Sequence, residues 1–222
     1  TGTFTYTHDG SETTTDTFEY RAAEIAGLDG NVILVNITIQ EVNDCPVYTA
    51  VGGFPAANED GVAWTWDYGA EISDADGDTP LYTLTHTATS LLTATSDANG
   101  IVTFTPKPNQ FGTTTMTLNV ADRRGCDIDI EIPVTINPIN DPPLTVTENL
   151  SVLEGGTATT TTAASTSVLS NDSDTENNAL EAILTTQAVN GTVALSSTGT
   201  FTYTHDGSET TTDTFQYRAQ EI

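Results

Sequence analysis

The chain has 222 residues, of which 31 are acidic and five basic, giving a net charge of −26 with Lys107 as the single lysine. Such a surface repels nucleic acid and anionic lipid headgroups, and its natural small partners are cations. No run of eighteen apolar residues occurs, so no membrane-spanning helix is expected.

About a fifth of the chain is threonine, a β-branched residue suited to the solvent face of a strand. In chain order, TGTFTYTH (1–8) alternates, placing Phe4 and Tyr6 inward and Thr3, Thr5 and Thr7 outward. NVILVNITI (31–39) turns Ile33, Val35, Ile37 and Ile39 inward. In VAWTWDY (62–68), Trp64 and Trp66 share one strand face, either as core packing or as an exposed aromatic pair for sugar rings. TTTMTLNV (113–120) buries Met116, Leu118 and Val120. DIDIEIPVTIN (127–137) puts Ile128, Ile130, Ile132, Val134 and Ile136 on one face and Asp127, Asp129 and Glu131 on the other. The alternating threonines of 3–7 and 83–89 read as ordinary outward β-residues rather than a flat ice-binding face. Turns such as DANG (97–100) and DRRG (122–125) separate the strands, no helix signal is convincing, and the pattern predicts an antiparallel sandwich.

Residues 1–25 and 198–222 are the same at 23 of 25 positions, differing only at Glu19/Gln216 and Ala23/Gln220, with an offset of 197. A weaker repeat divides that period. Asn-Asp-x-Pro occurs at 43–46 and at 140–143, so Asp44 and Asp141 are 97 residues apart, the size of one β-sandwich domain. The arithmetic makes residues 45–141 a complete domain, B. Residues 142–222 are then the N-terminal and middle part of a second type, A, and residues 1–44 the C-terminal part of another A. The expectation is a window from a long A–B array. On that reading Thr1 is not the natural N-terminus, residues 1–44 supply only late strands, and residues 142–222 lack a last strand like 31–39.

The acids are unevenly placed. ISDADGDTP holds Asp74, Asp76 and Asp78; SNDSDTENN holds Asp172, Asp174 and Glu176. Oxygen ligands at alternate positions of a turn suit a hard cation such as Ca²⁺, whereas solvated turn acids are the ordinary reading of one such cluster. Asp74 lies 30 residues after Asp44 and Asp172 lies 31 after Asp141, so the clusters recur at one place in the domain frame. An EF-hand is excluded because no glutamate sits at the required distance and no helices flank the loop. Catalysis has little support: of three histidines, His8 and His205 are copies of one position, and no HExxH or CxxC occurs. A Lys–Asn cross-link is impossible in A, which has no lysine, and Lys107 sits in a Pro-flanked turn.

In B the segments NED (58–60), SDADGD (73–78), GIVTFTPKPNQFG (100–112), LNVADRRG (118–125) and IND (139–141) follow a familiar order. In A the matching segments are VLSNDSD (168–174), NGTVALSSTGTFTYTHDG (190–207) and TDTFQYRAQE (212–221). Together they resemble the bacterial cadherin-like and immunoglobulin-like tandem repeats of giant secreted surface adhesins. The resemblance implies an all-β fold of seven-stranded Greek-key sandwiches. It also implies Ca²⁺ at domain junctions, held by a linker Asn-Asp, the Asp-x-Asp turn and an Asp closing the penultimate strand. Carried over, the junction before B takes Asn43, Asp44, Asp74, Asp76 and Asp122; the junction after B takes Asn140, Asp141, Asp172 and Asp174, with Glu59 reaching from B. A departs from the pattern, with Glu24 and Glu221 in place of that Asp. His8 and His205 stand for a turn proline and read as surface residues. In this sandwich type the first and last strands of B start at one pole, which implies a Cys45–Cys126 disulfide and an oxidising compartment.

The function so implied is mechanical and non-enzymatic: an extracellular stalk or surface filament of a bacterial cell, stiffened by calcium. Its partners are calcium ions, neighbouring repeats and, through a distant tip, cell-surface glycans or other cells; nucleic acid is not among them. Two alternatives are a carbohydrate-binding module array, decided by the exposure of Trp64 and Trp66, and a halophilic surface-layer protein, decided by whether the acids cluster or coat evenly.

Overall fold

The computed structural model describes residues 2–50, 52, 56–86 and 90–222; positions 87–89 of the second threonine run lie outside them. Apart from one 3₁₀ turn, Gly69–Glu71, every regular element described is a β-strand. The chain divides into two compact units, one of residues 1–57, 61–107 and 112–136, the other of 58–60, 108–111 and 137–222.

The first unit contains a two-sheet sandwich. One sheet has the order Ala56–Asn58, Asp127–Asn137, Gly112–Ala121, Leu81–His86; the other has Trp64–Asp67, Ile101–Pro106, Leu92–Ser96, and a short pair joins Val47–Tyr48 to Ile72–Ser73. The predicted alternation supplies the core. Met116, Leu118 and Val120 pair across from Ile132, Ile130 and Ile128, and with Val134, Ile136, Leu92, Val102 and Phe104 they form a buried interior. Ile128 remains half-buried. Each fully buried aliphatic chain stabilises by about 1.5–3 kcal/mol. Trp64 stacks on Phe104 at 5.1 Å with 15° between planes, Trp66 lies 6.3 Å from Tyr68, and the Trp66 indole N–H donates to Glu71 Oε1 at 3.3 Å. Both tryptophans are half-buried packing residues rather than an open platform. Cys45 and Cys126 are joined in a disulfide with Cα atoms 5.2 Å apart.

Within the same unit, Thr15–Tyr20 and Ile33–Thr38 form an antiparallel pair with Phe18 opposite Val35. Val35, Ile37 and Ile39 are half-buried, as the alternation predicts, but Ile33 is 47% and Phe4 66% exposed. Ile33 lies in a two-stranded sheet, and Phe4 lies in no strand and meets the Phe18 ring at 4.9 Å, so neither takes the inward place its alternation predicts.

The second unit has a three-stranded sheet, Thr157–Ala158, Phe201–His205, Gly191–Leu195, and a two-stranded one, Leu180–Thr186 with Gln216–Glu221. Val168, Ala182 and Phe201 form its core, with Leu169, Phe215 and Tyr217 packed against them. Phe201 is 4% exposed where its copy Phe4 is 66%. His205 is corrected from a surface residue to a buried one. Its Nδ1 accepts from the backbone N–H of Gly155 (3.3 Å) and Gly207 (3.2 Å), and Nε2 lies 3.1 Å from Thr210 Oγ1. An imidazole with both nitrogens satisfied braces a turn in a way the proline of the family pattern does not.

Candidate metal centres

Two loops of the same design carry the acidic clusters. In the first, the Asp74 carboxylate accepts from the Asp78 N–H (3.3 Å), its carbonyl accepts from Gly77 N–H (3.3 Å), and Gly77 has φ +72°. In the second, Asp174 Oδ1 accepts from the N–H groups of Glu176 (3.0 Å) and Asn178 (2.9 Å), its carbonyl accepts from Asn177 N–H (3.2 Å), and Asn177 has φ +61°. Asp74, Asp76 and Asp78 therefore correspond to Asp174, Glu176 and Asn178. The sequence reading paired Asp74 with Asp172; the turn geometry moves that register by two residues.

The linkers meet these loops in parallel fashion. Asp44 N–H donates to Asp76 Oδ2 at 2.7 Å, and Asp141 N–H donates to Glu176 Oε2 at 3.0 Å. Asn43 Nδ2 donates to Asp122 Oδ2 at 2.6 Å, and Asn140 Nδ2 donates to Glu221 Oε2 at 2.8 Å. Glu221 thus holds Asn140 as Asp122 holds Asn43.

Among the described residues, three carboxylate groups each bring one oxygen per residue within 4.8 Å of the others: Glu12, Asp44 and Asp76; Asp74, Asp76 and Asp78; and Glu59, Asp141 and Glu176. The last is the most enclosed. Glu59 is 1% exposed, and its Oε1 accepts from Ile139 N–H at 3.0 Å. Glu59 Oε2, Asp141 Oδ2, Glu176 Oε1 and Asp174 Oδ2 are buried without a hydrogen-bond partner. Burial pushes the Glu59 carboxyl above its usual range, and it does the same to Asp141, helped by the negative charges of Asp60 and Glu176. In the loop at 74–78, Asp74 Oδ2 and Asp76 Oδ1 are orphaned in the same way, whereas Asp78 Oδ2 is held by Arg124 Nε at 3.0 Å. Glu12 is pushed up by burial and by Asp76 and Asp44.

Crowded carboxylates with unpartnered oxygens are unfavourable unless protons or a cation neutralise them. The donors are all hard oxygens at irregular positions, which fits Ca²⁺, a cation that takes six to eight oxygens flexibly, better than Mg²⁺, which demands a tight octahedron. The chemistry of the donor set therefore fits the metal implied by the sequence.

Of the expected ligands, Asn43, Asn140, Asp174, Asp122 and Asp172 lie outside these groups, and the last two have both carboxylate oxygens hydrogen-bonded. Asp122 Oδ1 accepts from the N–H groups of Arg124 (2.7 Å), Gly125 (3.0 Å) and Cys126 (3.0 Å), while Oδ2 is taken by Asn43. These bonds, the Asn43 one first, hold its carboxyl down to about 2. Asp172 Oδ1 accepts from Val146 N–H (2.8 Å) and Oδ2 from the Tyr217 hydroxyl (3.0 Å). Glu12 joined the groups without having been expected there, and Glu176, marked in the SNDSDTENN cluster, was not among the junction ligands carried over from the resemblance. Glu176 was legible from the alignment of Asn177 with Gly77; Glu12 comes from the duplicated loop at 8–13, which no ligand spacing marks.

Residues 140–222 match the family model described as a bacterial cadherin-like domain, and residues 43–135 that described as a bacterial Ig domain. By these matches residues 43–135 are similar to a bacterial Ig domain and residues 140–222 to a bacterial cadherin-like domain, modules of the extracellular-repeat or adhesin type that are in general not enzymes. The disulfide accords with an extracellular setting, and no helix among the described residues is long and apolar enough to cross a membrane.

Among solved structures, the endo-fucoidan hydrolase MfFcnA4 from glycoside hydrolase family 107 is 18% identical with a TM-score of 0.37, over 95% of this chain and 32% of that one. Extracellular cadherin domains 3–6 of protocadherin gamma B2 are 11% identical, TM-score 0.48, over 88% of this chain and 49% of that one. The human desmocollin-1 ectodomain is 11% identical, TM-score 0.45, over 87% and 40%. The chain spans less than half the length of each. Among curated proteins no sequence matches.

Proposed function

We propose that the chain is a structural segment of a long bacterial surface adhesin or filament, a non-catalytic stalk rigidified by Ca²⁺ at its Asn-Asp linkers. Its domains on this reading are a partial A (1–44), a complete B (45–141) and a second partial A (142–222) of a 197-residue period. The observation that carries the proposal is the set of buried, partnerless oxygens on Glu59, Asp141, Asp174 and Glu176. Glu59 follows directly on the strand Ala56–Asn58, Asp141 lies in the linker, and the other two lie on the loop beyond it. A cation held by Glu59, Asp141 and Glu176, whose oxygens lie within 4.8 Å of one another, ties those three segments together. At the preceding linker, Asp44, Asp74 and Asp76 are the ligands, with Glu12 added. Asn43 and Asn140 orient the linkers through Asp122 and Glu221. Adhesive contact with glycans or other cells is assigned to a tip outside this segment.

The carbohydrate-binding alternative loses its main support because Trp64 and Trp66 are packed against Phe104 and Tyr68. The gathering of acids into three groups favours specific cation sites over an even halophilic coat. Calorimetric titration with Ca²⁺ tests the reading: uptake of at least one ion per chain is expected, lost at the second linker in Glu59→Gln. No heat and no change in thermal unfolding on adding Ca²⁺ defeats the proposal.

A further inference from the structure

The turn Asp122–Cys126 is closed by its own bonds. Asp122 N–H donates to Cys126 O at 3.0 Å, and Asp122 Oδ1 accepts from the N–H groups of Arg124, Gly125 and Cys126. Arg123 and Gly125 take the left-handed φ values, +68° and +114°, that fold it. It joins the two longest strands of the sandwich, whose pairing runs without a break to Ala121 opposite Asp127. The turn is therefore a firm base.

From this base three bonds of different kinds reach the first Asn-Asp linker and its acidic loop. Asp122 Oδ2 accepts from Asn43 Nδ2 at 2.6 Å. Cys126 is joined to Cys45, the residue that follows Asp44. Arg124 Nε lies 3.0 Å from Asp78 Oδ2, an ion pair on the loop that also carries Asp74 and Asp76. Linker and loop meet between these attachments, where Asp44 N–H donates to Asp76 Oδ2 at 2.7 Å. The covalent bond restricts the linker, and the guanidinium offsets one of the three crowded charges of the loop; neither needs a metal.

The second linker cannot copy two of the three. Pro142 follows Asp141 where Cys45 follows Asp44, and Asn178 stands where Asp78 stands, so the disulfide and the ion pair have no counterpart. What remains there is hydrogen bonding by amide side chains, from Asn140 to Glu221 at 2.8 Å and from Asn178 to Asn140 Oδ1 at 2.8 Å. The difference lies in residue identities at matched positions.

We propose that the turn Asp122–Cys126 is a metal-independent clamp that keeps Asp44 against Asp76, whereas the matching contact of Asp141 with Glu176 is kept closed by the cation. A group ordered in advance by the fold needs no further ordering when its ligand arrives. At the first linker calcium has only Glu12 left to bring in, because Glu12 comes from the loop at 8–13 and is outside the clamp. At the second, calcium must hold linker and loop together against the mutual repulsion of Glu59, Asp141 and Glu176. The clamp stands on bonds of the chain alone; only its comparison with calcium rests on the stalk reading.

Amide hydrogen exchange of the 222-residue chain, read residue by residue by NMR, tests the inference. Asp44 N–H and Asp141 N–H donate to matched positions of the two loops, and each follows an asparagine, so their rates differ only through protection. Asp44 is exposed and Asp141 half-buried, so burial alone favours slower exchange at Asp141. In chelator the order should be reversed, with Asp44 slower by about tenfold. Arg124→Gln, and separately Cys45→Ala with Cys126→Ala, should speed exchange at Asp44 by about tenfold and leave Asp141 unchanged. Amides of the strand Gly112–Ala121 should keep their protection; Arg124→Gln retains the disulfide and decides the test if the cysteine variant unfolds. Added Ca²⁺ should slow Asp141 by about tenfold and Asp44 by about twofold at most. Equal rates at the two amides in chelator overturn the clamp, and so does a rate at Asp44 that Arg124→Gln leaves unchanged. If the results in chelator are as expected but Ca²⁺ slows neither amide, the calcium reading fails and the clamp stands.

Discussion

Asp122 and Glu59 are both buried carboxylates, and their surroundings drive them in opposite directions. Asp122 is lowered to about 2, first by Asn43 and then by the N–H groups of its turn. Its stabilising charge is therefore fully present above about pH 4, the ordinary aspartate value, and is lost as pH falls through about 2. Asp122→Ala should lower the melting temperature at pH 7, and the gap from the parent protein should close as melts are repeated towards pH 2; a gap that persists there would assign the effect to packing. Glu59 is raised by burial, so without metal its contribution is present below the ordinary glutamate range and disappears as pH rises through the raised value. Glu59→Gln should then raise the metal-free melting temperature at pH 7 while removing the added stability from Ca²⁺, measured by calorimetry with and without the ion.

At the scale of elements, strands were far more legible than loops. Period-2 alternation in 113–120 and 127–137 named the core because one buried face imposes it on every second residue. The loops were read by counting acids, and acid runs are permissive about register. The position that fixes the turn is the left-handed one, Gly77 in one loop and Asn177 in the other. That is why Asp172, counted as a ligand, instead holds Val146 and Tyr217. It follows that Gly77→Asn should be tolerated, because Asn177 already occupies this conformation. Gly77→Val should cost about 1–2 kcal/mol in urea unfolding, because a β-branched side chain is strained there. The disulfide acts on the same sandwich. Reducing Cys45–Cys126, whose sequence separation is 81, should lower stability by about 4–5 kcal/mol in the chain-entropy model, read as a lower urea midpoint with unchanged fold at neutral pH.

For the whole molecule the governing quantity is charge. With 31 acids against five bases, no arrangement of its own side chains can neutralise the linker groups; among the described residues Arg124 answers only Asp78 there. Metal-free, the carboxylates about each Asn-Asp linker repel across a few ångströms, and a bound Ca²⁺ would offset most of that negative charge. Screening salt and a bound ion should therefore act differently. Monovalent salt weakens repulsion between charges farther apart than a Debye length, about 8 Å at physiological strength, but does little for groups already within 4.8 Å of one another. We expect small-angle scattering of the chelated protein to show a broader distribution of maximum dimensions than the calcium-loaded protein. Millimolar Ca²⁺ should narrow it, while added sodium chloride at equal ionic strength should not. Asp76→Asn should blunt the response, since Asp76 serves two of the three groups. Equal narrowing by sodium chloride would make the effect one of general screening, and the proposal of calcium-stiffened linkers would then fail.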